Sequence, residues 1–501
     1  MGDFNLAEIG EAYFERCGDF DALFFEDETL TSGTIRSRVL SAGGALTQVI
    51  GPGDRVVIVM ANCPEVAICY GAVWRAGGVV TPALFLLSAE EIRRIIEDSE
   101  AVAVITTPEF LPNILIAAEG LPTVKKIICT GAPDAPVMAF DELMDASAGP
   151  IVSRADDDLA CLLYTGGTTG RSKGVMLSHR NVALGARSAF ESGDSIDDDR
   201  AIAALPLAHG YGMMNSVATQ FGLRGFAVLM RWFDPIQWPD LVQRFKIRRA
   251  SLVPTMIQML LSQPLEDFDL SSLQVVNSGA APLATETIKE FERRVPSVTI
   301  IEGYGLSESS NIATLNPRYA RRVGSIGKPV ANYQVKVFDD DDNEVSTGEP
   351  GEICIRSDGV MTGYWNSPEV SAETLRGGWL HTGDIGKIDE DGYVWIVDRK
   401  KDLIIRGGFN IYPRDVEDVL LEHPAVEVAG VVGKPDPKYG EEIVAFVALR
   451  SGVDKPDESE LVAHCKRKMG SKAYPRDVRI VGYLPLTPVG KIDRKALRQM
   501  L

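Results

Sequence analysis

The sequence predicts an α/β fold: a large N-terminal domain of layered sheets and helices with a small β subdomain, and then a small α+β C-terminal domain. Short apolar runs such as Arg55–Met60 and Ala101–Thr106 alternate with helix-like stretches such as Ala89–Ser99. This alternation is typical of α/β proteins with largely parallel sheets. After these elements the pattern changes, because Gln334–Phe338 and Glu352–Arg356 alternate polar and apolar residues. That alternation indicates a small antiparallel sheet.

The length and one charged segment predict the domain organisation. The chain has 501 residues, which is more than one ordinary hydrophobic core accommodates. The charged string Asp398–Asp402 marks a boundary. We therefore expect one domain over residues 1–398 and a second over residues 399–501, the latter long enough for a small α+β domain.

Composition and charge exclude several classes of partner. The chain carries 51 basic and 70 acidic residues, a formal charge of −19 that disfavours nucleic acid and anionic membranes. Its seven cysteines and five histidines form no CxxC or HxxxH pattern, so we expect neither a zinc site nor a disulfide framework. The longest apolar run, near Gly77–Leu87, contains Pro82 and is too short to span a bilayer. No signal peptide is evident at the start, so we expect a cytoplasmic protein without an integral membrane segment.

A glycine-rich loop is the strongest chemical signal. Residues 164–174 read Tyr-Thr-Gly-Gly-Thr-Thr-Gly-Arg-Ser-Lys-Gly and follow the apolar run Cys161–Leu163. Glycines expose successive backbone N–H groups, while threonine hydroxyls and a lysine add donors and charge, so the loop suits a polyphosphate. The spacing does not fit a Walker A loop, and a flexible glycine turn is the alternative. The candidate phosphate ligands are Thr165, Gly166, Gly167, Thr168, Thr169, Gly170 and Lys173.

The loop resembles the phosphate-loop signature of the adenylate-forming enzymes, which include acyl-CoA synthetases, luciferases and the adenylation domains of peptide synthetases. Gly166 stands where serine is usual, and Ser172 stands where proline is usual. We expect Ser172 to loosen the loop slightly, because proline would have fixed φ. The resemblance extends from about residue 20 to the C-terminus, and further motifs follow in the family's order.

These motifs imply a nucleotide site. By resemblance, two segments line the adenine pocket, and Tyr304 stacks on the ring; their residues are Ser278, Gly279, Ala280, Ala281, Pro282, Gly303, Tyr304 and Gly305. Ser307 offers a hydroxyl to a phosphate oxygen, and Glu308 would hold Mg²⁺, which prefers oxygen ligands. Asp384, in His381-Thr382-Gly383-Asp384, and Arg399 are the implied ribose contacts.

The resemblance also implies the catalytic and moving parts. His209 would lie near the substrate carboxylate, and Lys491, in Pro488-Val489-Gly490-Lys491, would neutralise charge at the α-phosphate. The small C-terminal domain would rotate about Lys401 between the two half-reactions. After the rotation, Gly407, Gly408 and Phe409 would form the coenzyme A channel.

The residues predicted to line the acyl pocket do not identify the substrate acid. Its implied lining is Tyr211, Met213, Met214, Gly305 and Ser309. Acetate-specific relatives carry tryptophan where this chain has Gly305, so a larger acid is expected. The stretch 209–215 lacks the aspartate that binds an α-amino group, which disfavours an amino acid. A fatty, alicyclic or aryl acid remains.

The predicted function is therefore an AMP-forming acid–thiol ligase. It would use ATP and Mg²⁺ to make an acyl-adenylate from a small-molecule carboxylic acid, which is fatty, alicyclic or aryl, and then transfer the acyl group to coenzyme A, releasing AMP and pyrophosphate. The alternatives are an acyl-AMP ligase that loads a carrier protein and a luciferase-like oxygenase. A homodimer, and a lysine acyltransferase acting on Lys491, stay open as partners.

Overall fold

The computed structural model describes residues 4–131, 137–165, 172–407, 409–450, 452–486 and 492–501, and at positions 401, 410 and 470–472 it describes the main chain alone. Its strands are β1 (Asp21–Phe25), β2 (Glu28–Thr31), β3 (Arg55–Val59), β4 (Val79–Pro82), β5 (Ala103–Thr106), β6 (Lys126–Cys129), β7 (Met138–Ala139), β8 (Leu159–Thr165), β9 (Lys173–Ser178), β10 (Asp199–Ala203), β11 (Gly225–Leu229), β12 (Arg249–Leu252), β13 (Val275–Ser278), β14 (Thr299–Tyr304), β15 (Thr314–Leu315), β16 (Lys328–Pro329), β17 (Gln334–Phe338), β18 (Gly351–Arg356), β19 (Gly363–Tyr364), β20 (Leu380–Ile388), β21 (Val394–Arg399), β22 (Ile404–Arg406), β23 (Phe409–Ile411), β24 (Val426–Asp436), β25 (Gly440–Leu449) and β26 (Asp477–Ile480).

Its α-helices are α1 (Leu6–Cys17), α2 (Ser32–Leu46), α3 (Pro64–Arg75), α4 (Ala89–Asp98), α5 (Leu111–Ala118), α6 (Asp141–Met144), α7 (His179–Ser192), α8 (Gly210–Ala218), α9 (Gln237–Phe245), α10 (Pro254–Leu261), α11 (Thr285–Arg294), α12 (Pro368–Thr374), α13 (Pro413–Leu421), α14 (Glu458–Ala473) and α15 (Arg494–Gln499).

Two large sheets carry the N-terminal part of the fold. One has the order β16-β15-β14-β13-β12-β10-β11-β1-β2, and its central strands from β14 to β1 run parallel. The other has the order β19-β9-β8-β4-β3-β5-β6-β7, with a parallel block from β8 to β7. In this second sheet β9 runs antiparallel to both β8 and β19. This antiparallel edge supports the glycine-rich loop.

Apolar periodicity explains the packing of the helices. Helix α4 begins at a capping box between Ser88 and Glu91 and buries Ile92, Ile95 and Ile96 against the second sheet. The first sheet packs on a separate core that contains fully buried Trp238 and Phe291.

Two smaller sheets follow. Strands β17, β18, β20 and β21 form one sheet, in that order. The other has the order β23-β22-β25-β24, with β26 beside β25, and α13 and α14 cover one face through buried Val416, Leu420 and Leu461.

The chain divides into two compact units, Met1–Val335 with Ile355–Leu380, and Lys336–Cys354 with His381–Leu501. The predicted fold class, a large sheet-rich N-terminal domain and a smaller C-terminal domain, is confirmed. The predicted boundary between residues 398 and 399 falls inside the second unit and stays a prediction about which segment moves. Within the described residues, no helix combines the length and the apolar character needed to cross a bilayer.

Candidate active site

The stem of the glycine-rich loop is an antiparallel strand pair. Thr165, at the end of β8, lies opposite Lys173, at the start of β9. The predicted ligands Gly166, Gly167, Thr168, Thr169 and Gly170 lie outside the described residues. The Ser172 hydroxyl donates a 2.6 Å hydrogen bond to the Thr165 carbonyl and so joins the two ends of the stem. Proline could not make this hydrogen bond, and the expectation that serine loosens the loop itself stays a prediction.

Aromatic side chains fix this stem to the fold. The Tyr164 hydroxyl donates to the Asp98 carboxylate at 2.5 Å, and the Trp365 indole N–H donates to the Asp98 carbonyl at 2.8 Å. The Trp365 backbone N–H also donates to the Gly174 carbonyl at 2.7 Å. Burial and the Asp98 carboxylate raise the pKa of Tyr164 well above its usual value, so the hydroxyl acts as a donor. The loop therefore emerges from a rigid base.

The structure brings two predicted site residues together through a third that the sequence did not reveal. The Tyr364 hydroxyl donates to Oε1 of Glu308 at 2.7 Å, and Lys173 Nζ lies 5.0 Å from the centre of the Tyr364 ring. Glu308 and Ser307 lie in a single 3-10 turn, Ser307–Ser309, just after β14. Burial, then the Glu308 carboxylate, raise the pKa of Tyr364 far above its usual range.

This arrangement fits a magnesium-bound polyphosphate. No group of three or more histidine, cysteine, aspartate or glutamate side chains that could hold a metal occurs among the described residues. Mg²⁺ in nucleotide enzymes is commonly held by one or two carboxylates and by the phosphates themselves. The single carboxylate of Glu308 near Lys173 matches that donor set.

The two segments predicted to line the adenine pocket run side by side. Strands β13 and β14 are parallel, with Ser278 opposite Glu302, and a Cβ added to Gly279 would lie 3.1 Å from the Gly303 carbonyl oxygen. Ser278 Oγ and Asn277 Oδ1 are buried without a hydrogen-bond partner in the described chain. Buried polar atoms without partners are costly, so these oxygens fit a ligand that donates hydrogen bonds. Ala280, Ala281 and Pro282 follow in the turn after β13, and Ala280 has a positive φ of 70°.

The predicted acyl-pocket residues do not all face open space. Met213 is fully buried, with its sulfur 3.7 Å from Cys161 Sγ, and Met214 is buried beside it on α8. The Ser309 hydroxyl accepts the Leu306 N–H and donates to the Leu306 carbonyl, so it completes its own turn, and its predicted place in the acyl pocket stays a prediction. Tyr211 places its hydroxyl 3.5 Å from the Asn277 carbonyl, and burial raises its pKa to about 12.

Gly305 lies close against the main chain of a neighbouring turn. A Cβ built on it would overlap the main chain at Asn311 and Ile312. A tryptophan at this position would therefore meet backbone, and the predicted place of Gly305 in the acyl pocket stays a prediction. Ser310 and Asn311, just beyond, both have positive φ values, of 52° and 64°. Such backbone is costly outside glycine and is concentrated at functional sites.

His209 begins helix α8. Its Nδ1 accepts the Tyr211 N–H at 3.2 Å, an N-cap contact, so Nε2 carries the proton when the ring is neutral. The geometry gives His209 a structural role at the helix start, and its predicted contact with the substrate carboxylate stays a prediction.

The second unit contains the predicted ribose contacts. Asp384 and Arg399 lie opposite each other on β20 and β21, with Arg399 Nε 3.0 Å from Asp384 Oδ1. The buried Glu352 carboxylate accepts the Gly383 N–H at 2.9 Å and lies 3.5 Å from Lys400 Nζ. Glu352, which belongs to none of the sequence motifs, therefore connects the turn before Asp384 with the segment around the predicted hinge.

The predicted hinge, channel and lysine are placed only in part. Lys401 belongs to a single 3-10 turn, Lys400–Asp402, directly after β21. Gly407 has a φ of 58°, which favours glycine, and Phe409 begins β23 with about half of its surface exposed. Gly408 and Lys491 lie outside the described residues.

The fold and the arrangement of Lys173 and Glu308 beside the stem of the glycine-rich loop fit a nucleotide-dependent enzyme. A family model described as AMP-binding enzyme matches residues 11–365, and one described as AMP-binding enzyme C-terminal domain matches residues 415–491. The chain belongs to this family of adenylate-forming enzymes, which confirms the resemblance seen in its motifs.

Named relatives specify the class of reaction. The chain is 33% identical to the long-chain-fatty-acid–CoA ligase of Bacillus subtilis, over 96% of this chain and 92% of that protein. It is 34% identical to the feruloyl-CoA synthase of an Amycolatopsis species, over 94% of each chain. The crystal structure of ATP-bound MatB from Rhodopseudomonas palustris is similar, with a TM-score of 0.91 at 31% identity, over 99% of this chain and 98% of that one. The predicted enzyme class, an AMP-forming acid–thiol ligase, is confirmed.

Proposed function

We propose that this chain couples ATP to the activation of a fatty, alicyclic or aryl carboxylic acid and then passes the acyl group to coenzyme A. The observation that carries the proposal is the meeting of Lys173 and Glu308 at Tyr364, beside the stem of the phosphate loop. A cation and a carboxylate at one loop suit a polyphosphate and its divalent cation.

In the first half-reaction the substrate carboxylate attacks the α-phosphorus of ATP, and pyrophosphate leaves. The substrate brings its own nucleophile, so the protein acts by positioning and by neutralising charge. Lys173 would hold the departing phosphates, and Lys491 would offset the charge that accumulates at the α-phosphate. Glu308 would hold Mg²⁺, and Mg²⁺ when bound neutralises phosphate charge.

The nucleoside would bind across the segments that follow β13 and β14. The unpartnered oxygens of Asn277 and Ser278 suit the amino group of adenine, and the Tyr304 ring offers a stacking face. Asp384, already paired with Arg399, would accept the ribose hydroxyls.

In the second half-reaction the thiol of coenzyme A replaces AMP on the acyl carbon. We place the required rotation at Lys401, with residues 399–501 moving, and the thiol channel at Gly407, Gly408 and Phe409. The positive φ of Gly407 supports this assignment, since glycine lets a chain come close to a ligand.

Similarity to named relatives and the apolar character of α8 support the proposed class of substrate acid. One named relative acts on long-chain fatty acids and the other on a feruloyl group, so both aliphatic and aryl acids are in range. Buried Met213 and Met214 offer an adaptable apolar wall.

The test is ATP–pyrophosphate exchange over a panel of fatty, alicyclic and aryl acids, followed by thioester formation with coenzyme A or with a carrier protein. We expect exchange with at least one acid and a coenzyme A thioester as product. Lys491→Ala should abolish exchange yet form thioester from supplied acyl-adenylate. Exchange without a coenzyme A product would favour the carrier-protein alternative, light emission with luciferin would favour the oxygenase, and no exchange at all would reject the proposal.

Acylation of Lys491 by a lysine acyltransferase would remove the charge that the first half-reaction needs. Mass spectrometry of the native protein, with activity measured before and after deacylase treatment, decides this point. Gel filtration with light scattering decides whether the chain forms a homodimer.

A further inference from the structure

Tyr364 occupies a distinctive position in the first unit. It lies on the short strand β19, opposite Val175 of β9, and so within two residues of Lys173 in the neighbouring strand. Its backbone N–H donates to the Ser371 hydroxyl at 2.8 Å, which fixes the main chain from the other side. The side chain is buried, with only 8% of the residue exposed. The ring is therefore held from several directions.

The hydroxyl fixes one oxygen of the Glu308 carboxylate. It donates to Oε1 at 2.7 Å, and no other donor in the described part of the chain bonds this carboxylate. The Glu308 backbone is fixed separately, because its carbonyl accepts the Met361 N–H at 2.8 Å. A neutral donor orients a carboxylate without cancelling its charge, so Oε2 stays available to a cation.

The face of the same ring supports the lysine. Lys173 Nζ lies 5.0 Å from the ring centre, within the range of a cation–π contact. Lys173 forms no ion pair with a carboxylate among the described residues. A direct pair between Lys173 and Glu308 would neutralise both charges, and the aromatic ring keeps both groups in place without that pairing.

We propose that Tyr364 is a positioning residue that orients Glu308 for a divalent cation while its ring supports Lys173 for the phosphates. This inference rests on the proposed function, since it assigns the cation and the polyphosphate to these two groups. Replacing a residue that hydrogen-bonds a metal ligand, without itself touching the metal, typically lowers metal affinity or activity by about 10–100-fold.

The test is Tyr364→Phe, which removes the hydroxyl and keeps the ring under Lys173. Mn²⁺ serves as the probe, and its binding to the complex of full-length enzyme with a non-hydrolysable ATP analogue is measured by electron paramagnetic resonance. We expect Mn²⁺ to bind about tenfold more weakly, with the affinity for the analogue itself changed less than threefold. In ATP–pyrophosphate exchange, the Mg²⁺ concentration for half-maximal rate should rise by a similar factor, with little change in KM for the acid.

Tyr70→Phe is the matched control. It also removes a buried tyrosine hydroxyl, one that donates to the Leu207 carbonyl at 2.8 Å in the same unit. We expect it to leave Mn²⁺ affinity unchanged, although its thermal midpoint falls as much as that of Tyr364→Phe.

A double-mutant cycle with Glu308→Ala completes the test. Once the carboxylate is absent, Tyr364→Phe should cause no further loss of Mn²⁺ affinity, because the two side chains act as one unit. Wild-type Mn²⁺ affinity in Tyr364→Phe, an equal loss in Tyr70→Phe, or additive losses in the cycle would each overturn the inference. Absence of exchange in the wild-type enzyme would instead reject the proposed function, and the Mn²⁺ measurement does not depend on turnover.

Discussion

Replacing Arg494 with methionine should destabilise the second unit by about 3–5 kcal/mol, the cost of breaking a buried ion pair. Arg494 Nη2 lies 2.7 and 2.8 Å from the two carboxylate oxygens of Glu417, and its Nη1 lies 3.6 Å from Asp402 Oδ2. Both acidic residues are less than a tenth exposed, at 8% for Glu417 and 7% for Asp402. The arginine thus joins α15 to α13 and to the turn that holds the predicted hinge.

The magnitude follows from what the substitution leaves behind. Burial opposes the charged form of Arg494, but Glu417 and Asp402 outweigh it and raise the pKa of the guanidinium. Without the arginine, the partner left to Glu417 among the described residues is the Val431 N–H at 2.8 Å, and Asp402 keeps Arg498 at 2.9 Å. A buried carboxylate that loses its counter-charge accounts for most of the cost.

Hydrogen exchange followed by mass spectrometry is the assay, read on the backbone amides of α13 and β24. Tryptophan fluorescence would report mainly on the first unit, because Trp395 is the one tryptophan in the second. Arg494→Met should expose these amides, whereas the double variant with Glu417→Leu should recover most of the protection, since it buries no unpaired charge. Wild-type protection in Arg494→Met would refute the electrostatic argument, and a double variant as labile as the single would assign the cost to packing.

Three further predictions concern the first unit. The buried His179 ring accepts the Leu6 N–H on Nδ1, and burial lowers its pKa from 6.5 to about 4. As pH falls, the unfolded chain therefore binds a proton at this histidine before the folded chain does. The unfolding free energy from denaturant titrations should be unaffected above about pH 6.5 and fall by up to about 3 kcal/mol towards pH 4, and His179→Gln should not show this loss. Gly305→Ala should lower the unfolding free energy by about 1–3 kcal/mol, because its Cβ would meet the main chain at residues 311–312. For the same reason Gly305→Trp should misfold rather than select short acids. A folded Gly305→Trp variant that prefers acetate would contradict the argument that the main chain leaves no room for a side chain here. Ser172→Ala should weaken ATP binding, measured by calorimetry, by about 1 kcal/mol, because the hydrogen bond to the Thr165 carbonyl is lost. Unchanged affinity would show that ATP binding does not depend on this hydrogen bond.

Much of the fold was predictable because it follows from local patterns. The predicted strand Arg55–Met60 matches β3 to within one residue, and the helix-like stretch Ala89–Ser99 matches α4 to within one residue. Helical spacing of isoleucines and a capping box at Ser88 are both visible in the sequence. The alternation of Gln334–Phe338 likewise corresponds to β17 of a small sheet.

The site was predictable only where a motif carries its own chemistry. Lys173 and Glu308 stand in motifs rich in donors or acids, whereas Tyr364 is an aromatic residue on a two-residue strand and shows its role only once β19 pairs with β9. Glu352 is similar, since a buried acid in an alternating strand gives no sign that it accepts the Gly383 N–H. At Gly305 the motif does not reveal that the main chain at residues 311–312 occupies the space where a Cβ would lie. Contacts between distant segments reveal the first two, and a nearby turn of the main chain reveals the third.

The contacts on either side of Lys401 bear on where a rotation can occur. Lys400, before it, is paired with Asp340 at 2.8 Å and with Glu352, both near the four-stranded sheet. Asp402, after it, is paired with Arg498 and Arg494 of α15. A turn about residue 401 would leave both sets of ion pairs intact, because neither spans it. The Asp398 carboxylate, by contrast, accepts the Arg414 N–H at 2.8 Å across that point, and rotation has to break this bond. The Leu403 N–H likewise donates to the Arg399 carbonyl at 3.1 Å across residue 401. Loss of one such bond costs on the order of 1–3 kcal/mol, so the predicted rotation has to offset the loss of both.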